Sequence, residues 1–155
     1  MSYLPCELHC HTVHSDGDFT VAELQKAAVD DHLAIMALTD HNTFSGWDEL
    51  DDNIIPAIRG IEWTTYFGHM LVLGANDFVD WRDAQPDNID EKIKQVKAVG
   101  GIVGIAHPYQ LGSPLCTGGR WEFNVRDWRN VDYIEVWHQN LYSAKRENER
   151  ALELW

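Results

Sequence analysis

Three histidines, an aspartate and a glutamate fall in one short stretch near the start of the chain, E-L-H-C-H-T-V-H-S-D-G from Glu7 to Gly17. His9 and His11 flank Cys10. In an extended strand alternate side chains share a face, so the two imidazoles can grip one metal ion while Cys10 points the other way. Ser15-Asp16-Gly17 is a turn signal that carries Asp16 to the mouth of any sheet or barrel the strand joins. An isolated H-x-H is a common accident of sequence. Here further donors follow, each at the end of an apolar run.

The elements that must position these donors are legible from periodicity. The stretch opens behind Tyr3-Leu4-Pro5-Cys6, a short apolar run. Thr20 to Leu33 has helical spacing in Val21, Leu24, Ala28 and Leu33, with Thr20 and Glu23 placed as a capping box. His32, near its C-terminal end, reads as a surface or dipole-pairing residue. Ala34 to Thr39 is a continuous apolar run of the kind buried in parallel sheets, and it stops at Asp40-His41-Asn42. Thr43 to Asp52 is expected to be helical. A third strand is expected from Asn53 to Ile58, running on through Gly60 to Glu62.

Beyond Glu62, Gly68 breaks the chain and His69 opens a strand at Met70 to Leu73. Asn76 to Asp87 reads as a loop, Asn88 to Val99 as an amphipathic helix ended by Gly100-Gly101. Ile102 to Ala106 is a buried strand that delivers His107-Pro108. Tyr109 to Asn130 is a long loop, of the kind that is usually functional in a compact domain. Asp132 to Val136 is a sixth strand ending at Trp137-His138, and Leu141 to Trp155 closes with a helix. Strands alternate with helices, and metal-competent residues gather at strand ends, as in enzymes of the β/α barrel type.

The 155 residues, 45% of them apolar, suffice for one domain with a real core. A net charge of -13 argues against a nucleic-acid backbone or an anionic membrane surface as the main partner. Bound divalent cations would neutralise part of that charge. Cys6, Cys10 and Cys116 show no C-x-x-C spacing, which suggests neither a disulfide framework nor a zinc–thiolate site. With no signal peptide or membrane span in the sequence, a cytoplasmic location is expected.

His9, His11, Asp16, His41, Glu62, His69 and His107 form a donor set of imidazoles and carboxylates, which suits Zn, Mn or Fe rather than a sulfur site. Seven ligands exceed what one ion can use. More than one divalent ion is therefore expected, with Glu62 a natural bridge because its two oxygens can bind two cations. Paired cations lower the pKa of a shared water to roughly neutral and clamp the attacking and leaving oxygens of a displacement, so hydrolysis is the expected reaction.

The order H-x-H, S-D-G, T-D-H, G-I-E, G-H and A-H-P resembles the PHP (polymerase and histidinol phosphatase) family over nearly the whole chain. E-L-H-C-H-T-V-H-S-D-G and G-I-E-W-T-T-Y-F-G-H are most similar to its branch that includes carbaryl hydrolases. The resemblance implies an α/β fold, a distorted (β/α)7 barrel, and a metal-dependent hydrolase, mostly of phosphate esters, with carbamate or carboxylic esters as variants. It implies that His9, His11 and Glu62 hold a first metal, that Glu62, His69 and His107 hold a second, and that Asp16 and His41 serve a third. The nucleophile would be a metal-bridging hydroxide, so no protein nucleophile is required.

The family's late D-x-H motif does not follow His138. The chain is therefore expected to be a single PHP-type domain, 1–155, truncated before its C-terminal strand. The alternative is a non-catalytic metal-binding or structural PHP module. Asp40, Glu135 and His138 are expected to support ligands from behind. His14 and Arg120 are candidates for touching a small-molecule ester substrate, Arg120 through its planar fork. An oligomer is possible; neither nucleic acid nor membrane is expected as a partner.

Overall fold

The computed structural model describes residues 3–110, 119–137 and 145–155. His138 and Cys116 lie outside these residues, as does the start of the expected closing helix. The chain divides into two compact units, Met1–Glu62 and Trp63–Trp155. Strands and helices alternate in the α/β class expected. No helix among the described residues is long and apolar enough to cross a membrane.

In the first unit β1 (Cys6–Glu7) pairs in parallel with β2 (Ile35–Leu38), and β2 in parallel with β3, which runs Ala57–Thr65 and carries the chain into the second unit. Helix α1 (Val21–Asp30) links β1 to β2. Thr20 caps it as its sequence predicts: the hydroxyl accepts the Glu23 amide at 3.3 Å, and the Glu23 carboxylate accepts the Thr20 amide at 2.9 Å. At the other end His32 adopts φ 60°, with Leu33 N–H donating to Ala28 O and His32 N–H to Val29 O. This is a Schellman ending in which a histidine takes the left-handed position usually given to glycine. His32 thus terminates a helix. Val21 packs with Leu38 and Leu50, and Ala28 with Met36 and Ile55, so one face of α1 seals the sheet.

Two expected elements in this unit are shorter than their sequence suggests. Thr43 to Asp52 forms only a 3-10 turn at Trp47–Glu49. The Thr43 hydroxyl accepts the Ser45 amide, a local bond that competes with helix. The third strand starts at Ala57 rather than Asn53, because the Asp51 carboxylate accepts both the backbone and side-chain N–H of Asn53, and Pro56 follows. It also runs further, to Thr65.

In the second unit β4 (Gly68–Leu73) is antiparallel to β5 (Ile102–Ile105), and β5 is parallel to β6 (Tyr133–Ile134). Only Tyr66 and Phe67 separate β3 from β4, and so short a connection can only turn the chain back on itself. The reversal explains why His69 stands at the start of its strand, while His107 follows the end of its own. Helix α2 (Ile89–Ala98) buries Ile89, Ile93 and Val96. It ends in a second Schellman motif, Gly101 N–H to Val96 O and Gly100 N–H to Lys97 O, with Gly100 at φ 82°. Helix α3 (Lys145–Leu154) completes the described residues.

Candidate metal centre

Glu62 is the focus of the first unit. It lies within β3, where it forms a parallel bridge with His41 just past the end of β2; Asn42 N–H donates to its carbonyl at 3.1 Å. Its side chain is fully buried, and one carboxylate oxygen, Oε2, faces three imidazole nitrogens. His41 Nδ1 is 2.8 Å away, His9 Nε2 3.3 Å and His11 Nε2 3.3 Å. The rings crowd together, with His9 and His11 centroids 4.9 Å apart and His11 and His41 stacked at 4.4 Å.

The first strand ends at Glu7, so His9 and His11 are not placed by strand alternation as their spacing suggests. The segment is held instead by Thr39. Its amide and hydroxyl both donate to Cys10 O, at 2.9 and 3.1 Å, and its hydroxyl accepts the Cys10 amide at 3.0 Å. Cys10 therefore faces inward, and burial, with Glu7 and Asp40 nearby, pushes its thiol up to about 12.

Asp16 closes the outer side. Its carboxylate stands 3.6 Å from His11 Nδ1 and 3.4 Å from His41 Nε2, and one donor atom from each of the three residues falls within 4.8 Å of the others. Asp16 is 62% exposed, so this end opens to solvent. The turn that presents it has Val13 N–H on Phe19 O and both Ser15 and Gly17 N–H on Thr12 O. Any Cβ at Gly17 would lie 2.3 Å from His11 O, so only glycine fits.

The charges are arranged for a cation. Burial, reinforced by His9, lowers His11 to about 4, leaving it neutral and able to offer a lone pair at neutral pH. Burial also pushes His41 down, but the hydrogen bond and charge of Glu62, aided by Asp16, outweigh it and raise His41 overall. Positive charge is thus favoured between the two carboxylates. Three imidazole nitrogens and carboxylate oxygens converging over a few ångströms form a donor set that fits a divalent metal ion.

Asp40 reaches back to the first donor stretch. It is 2% exposed, and it accepts three hydrogen bonds from the His11–Asp16 turn: Thr12 N–H at 2.7 Å, Thr12 O–H at 2.7 Å and Ser15 O–H at 2.6 Å. Sequence reasoning names neither hydroxyl as a partner of Asp40, and Ser15 enters it only as part of a turn signal. Hydroxyls interleaved with histidines were the available signal. His14 is clamped between Ser45 Oγ at its Nδ1 and Glu49 Oε1 at its Nε2, each 2.8 Å away, so both ring nitrogens are engaged within the protein.

In the second unit the antiparallel register Met70↔Ile105 brings His69 and His107 together, with Ala106 N–H donating to His69 O at 3.2 Å. Both are buried, and their rings meet edge to face at 5.1 Å. The parallel register Ile105↔Ile134 sets Glu135 beside them, and its Oε2 accepts the His107 amide at 2.9 Å. Glu135 therefore supports the His107 backbone. Arg120 is exposed and bridges Tyr109 through its backbone.

Residues 7–103 match the model of the PHP domain. An uncharacterized protein of Methanocaldococcus jannaschii is 32% identical over 70% of this chain, which spans 48% of that relative's length. A protein of Bifidobacterium adolescentis named as an inferred metal-dependent phosphoesterase superposes on 99% of this chain and 83% of its own, with a TM-score of 0.64 and 19% identity. A two-domain protein of Bacteroides vulgatus, said to contain a predicted PHP-like metal-dependent phosphoesterase, covers 96% of this chain and 49% of its own, with a TM-score of 0.67 and 21% identity. At such identities the two structures speak for the fold alone. The family match spans well over half of the chain, and the chain belongs to the PHP domain family.

Proposed function

We propose that this chain is a metal-dependent hydrolase whose substrates are phosphate esters. One observation carries the reading: three imidazole nitrogens from separate positions lie within 3.3 Å of one oxygen of the buried Glu62 carboxylate. His41 bonds that oxygen in the absence of metal, and the same cluster of imidazole nitrogens around a buried carboxylate is a donor set a divalent cation can bind. His9, His11, His41, Glu62 and Asp16 would hold divalent metal in the first unit, and His69 and His107 are the ligands offered by the second. When bound, such ions supply Lewis acidity toward an ester oxygen and a hydroxide nucleophile at neutral pH. The chain's own part is to keep His11 neutral, to exclude solvent from Glu62 and to leave the Asp16 side open for substrate.

The names of the structural neighbours favour phosphate over other esters. The carbaryl-hydrolase branch, which the sequence motifs resemble, would favour carbamates. Both are tested by loading the protein with Mn, Zn or Fe and assaying aryl phosphate mono- and diesters beside aryl carbamates and carboxylic esters. Turnover of the phosphates, abolished by chelation and by Glu62→Ala, is the expected outcome. Tight metal binding without turnover of any ester would replace the hydrolase with a metal-binding module.

A further inference from the structure

The chain carries 25 acidic residues against 12 basic ones, so a guanidinium has carboxylates in ample supply. Arg59, Arg82, Arg126 and Arg129 pair with Asp52, Asp80, Asp87 and Asp127. Arg120, Arg146 and Arg150 pair with no carboxylate among the described residues. Two of these three meet at one residue, Tyr109. An isolated antiparallel bridge sets Arg120 opposite Tyr109, and such partners project their side chains to the same face. Arg150 reaches the same ring from α3, with its guanidinium carbon 4.2 Å from the ring centroid. Glu147 and Glu153 stand one turn away on that helix, yet the guanidinium lies on the tyrosine.

A guanidinium laid over a ring keeps N–H donors at its rim, and the stack holds its planar fork in one orientation. Such a fork matches a phosphate or a carboxylate, which it can grip through two parallel bonds. Position says what such an anion would belong to. Tyr109 lies two residues beyond His107, and Gln110 N–H donates back to His107 O at 2.9 Å. His107 is buried, whereas Arg120 and Arg150 are exposed. A group held by the arginines therefore lies outboard of the metal-competent histidine, apart from the ester that the metal ions would take. We propose that Arg120 and Arg150, gathered at Tyr109, bind a second anionic group of the substrate, a phosphate or carboxylate on the same molecule as the ester. That the ligand is a substrate rests on the hydrolase reading; the anion site does not. Two positive charges favour a phosphate dianion over a carboxylate.

Binding is tested on metal-free protein titrated with inorganic phosphate, read by proton–nitrogen NMR of the arginine Nε–H groups. Saturable shifts are expected at Arg120 and Arg150 and not at Arg126, which Asp87 already engages. Arg120→Gln and Arg150→Gln should each weaken binding about tenfold or more, because each removes a charged donor, while Arg126→Gln should leave it unchanged. Arg150→Lys keeps the charge without the fork and should fall between. Catalysis is tested on Mn- or Zn-loaded protein with three aryl phosphates: one unsubstituted, one carrying a ring carboxylate and one a second phosphate. KM is expected to fall in that order, and both glutamine variants should raise it for the two substituted esters alone, with kcat kept. Equal KM for the three esters, or phosphate shifts absent from Arg120 and Arg150, would overturn the proposal. A protein that hydrolyses none of the esters yet shows the saturable shifts at both arginines would defeat the hydrolase reading and leave the anion site standing.

Discussion

Glu135 accepts the backbone N–H of His107 at 2.9 Å, and His107 has a φ of 23°. A residue with a side chain seldom occupies that left-handed region, and Pro108 restricts it further. Backbone strain at a candidate ligand persists only where neighbours hold it in place. Glu135→Ala is predicted to destabilise the protein by about 1–3 kcal/mol, because it strips a charged acceptor from a buried amide. Glu135→Gln keeps an acceptor and should lose less. Urea unfolding of the three proteins measures the difference, and an alanine variant as stable as wild type would refute the account.

Gly17 makes a parallel case in the first unit. A Cβ there meets His11 O at 2.3 Å and Thr12 N at 2.7 Å, both backbone atoms that cannot swing aside. Gly17→Ala is predicted to push the turn away from Asp40 and to displace His11 and Asp16 together. Metal affinity should fall by more than tenfold while the helical circular dichroism signal persists. Unchanged affinity would show that the turn does not position the ligands.

The donors were legible because chemistry leaves a local mark: H-x-H, T-D-H, G-I-E and A-H-P each follow an apolar run, and T-D-H and A-H-P lie just past the ends of β2 and β5. The capping box at Thr20 and the glycine pair after α2 were legible for the same reason, being contacts between residues a few positions apart. What could not be read was long-range. Nothing within Cys10 or Thr39 alone announces that they hold each other across 29 positions, replacing the strand expected at His9. Asp40 sits next to His41 in sequence, which suggested that ring as its partner; its three bonds reach back to Thr12 and Ser15 instead. The reversed β4 follows from a connection of two residues, a count open to inspection but outweighed by the rhythm of the surrounding repeats.

The cap of α1 gives a prediction with a definite sign in pH. Glu23 accepts the Thr20 amide and hydroxyl, and the amide bond, followed by the hydroxyl bond, holds its carboxyl below its ordinary value of 4.5. A group whose pKa is lower folded than unfolded adds stability above the unfolded value and loses it as pH falls through the folded one. The gap in urea midpoint between wild type and Glu23→Gln should therefore be present at neutral pH and close below about pH 4. Added salt should narrow it, since a carboxylate in the first turn of an exposed helix is screened by salt. Thr20→Ala removes the cap itself and is predicted to cost about 1 kcal/mol. A gap that widens in acid would reverse the sign and sink the assignment.

Metal linkage supplies the most direct check on the donor cluster, because it needs no substrate. A ligand that binds only the folded chain stabilises it by roughly 2.7 kcal/mol at one hundred times its Kd. In a protein of this size each kcal/mol is worth about 2–4 °C in Tm. Chelated protein titrated with Mn or Zn should therefore gain several degrees. Glu62→Ala removes the oxygen on which His9, His11 and His41 converge, and its Tm should no longer respond to metal. Without metal the same substitution leaves three rings clustered around an empty volume, where wild-type Glu62 offers His41 a hydrogen bond. Glu62→Ala should then be less stable than chelated wild type as well, with the deficit growing once metal is added to both. A Glu62→Ala protein that still gains the full shift would place the bound metal elsewhere in the chain.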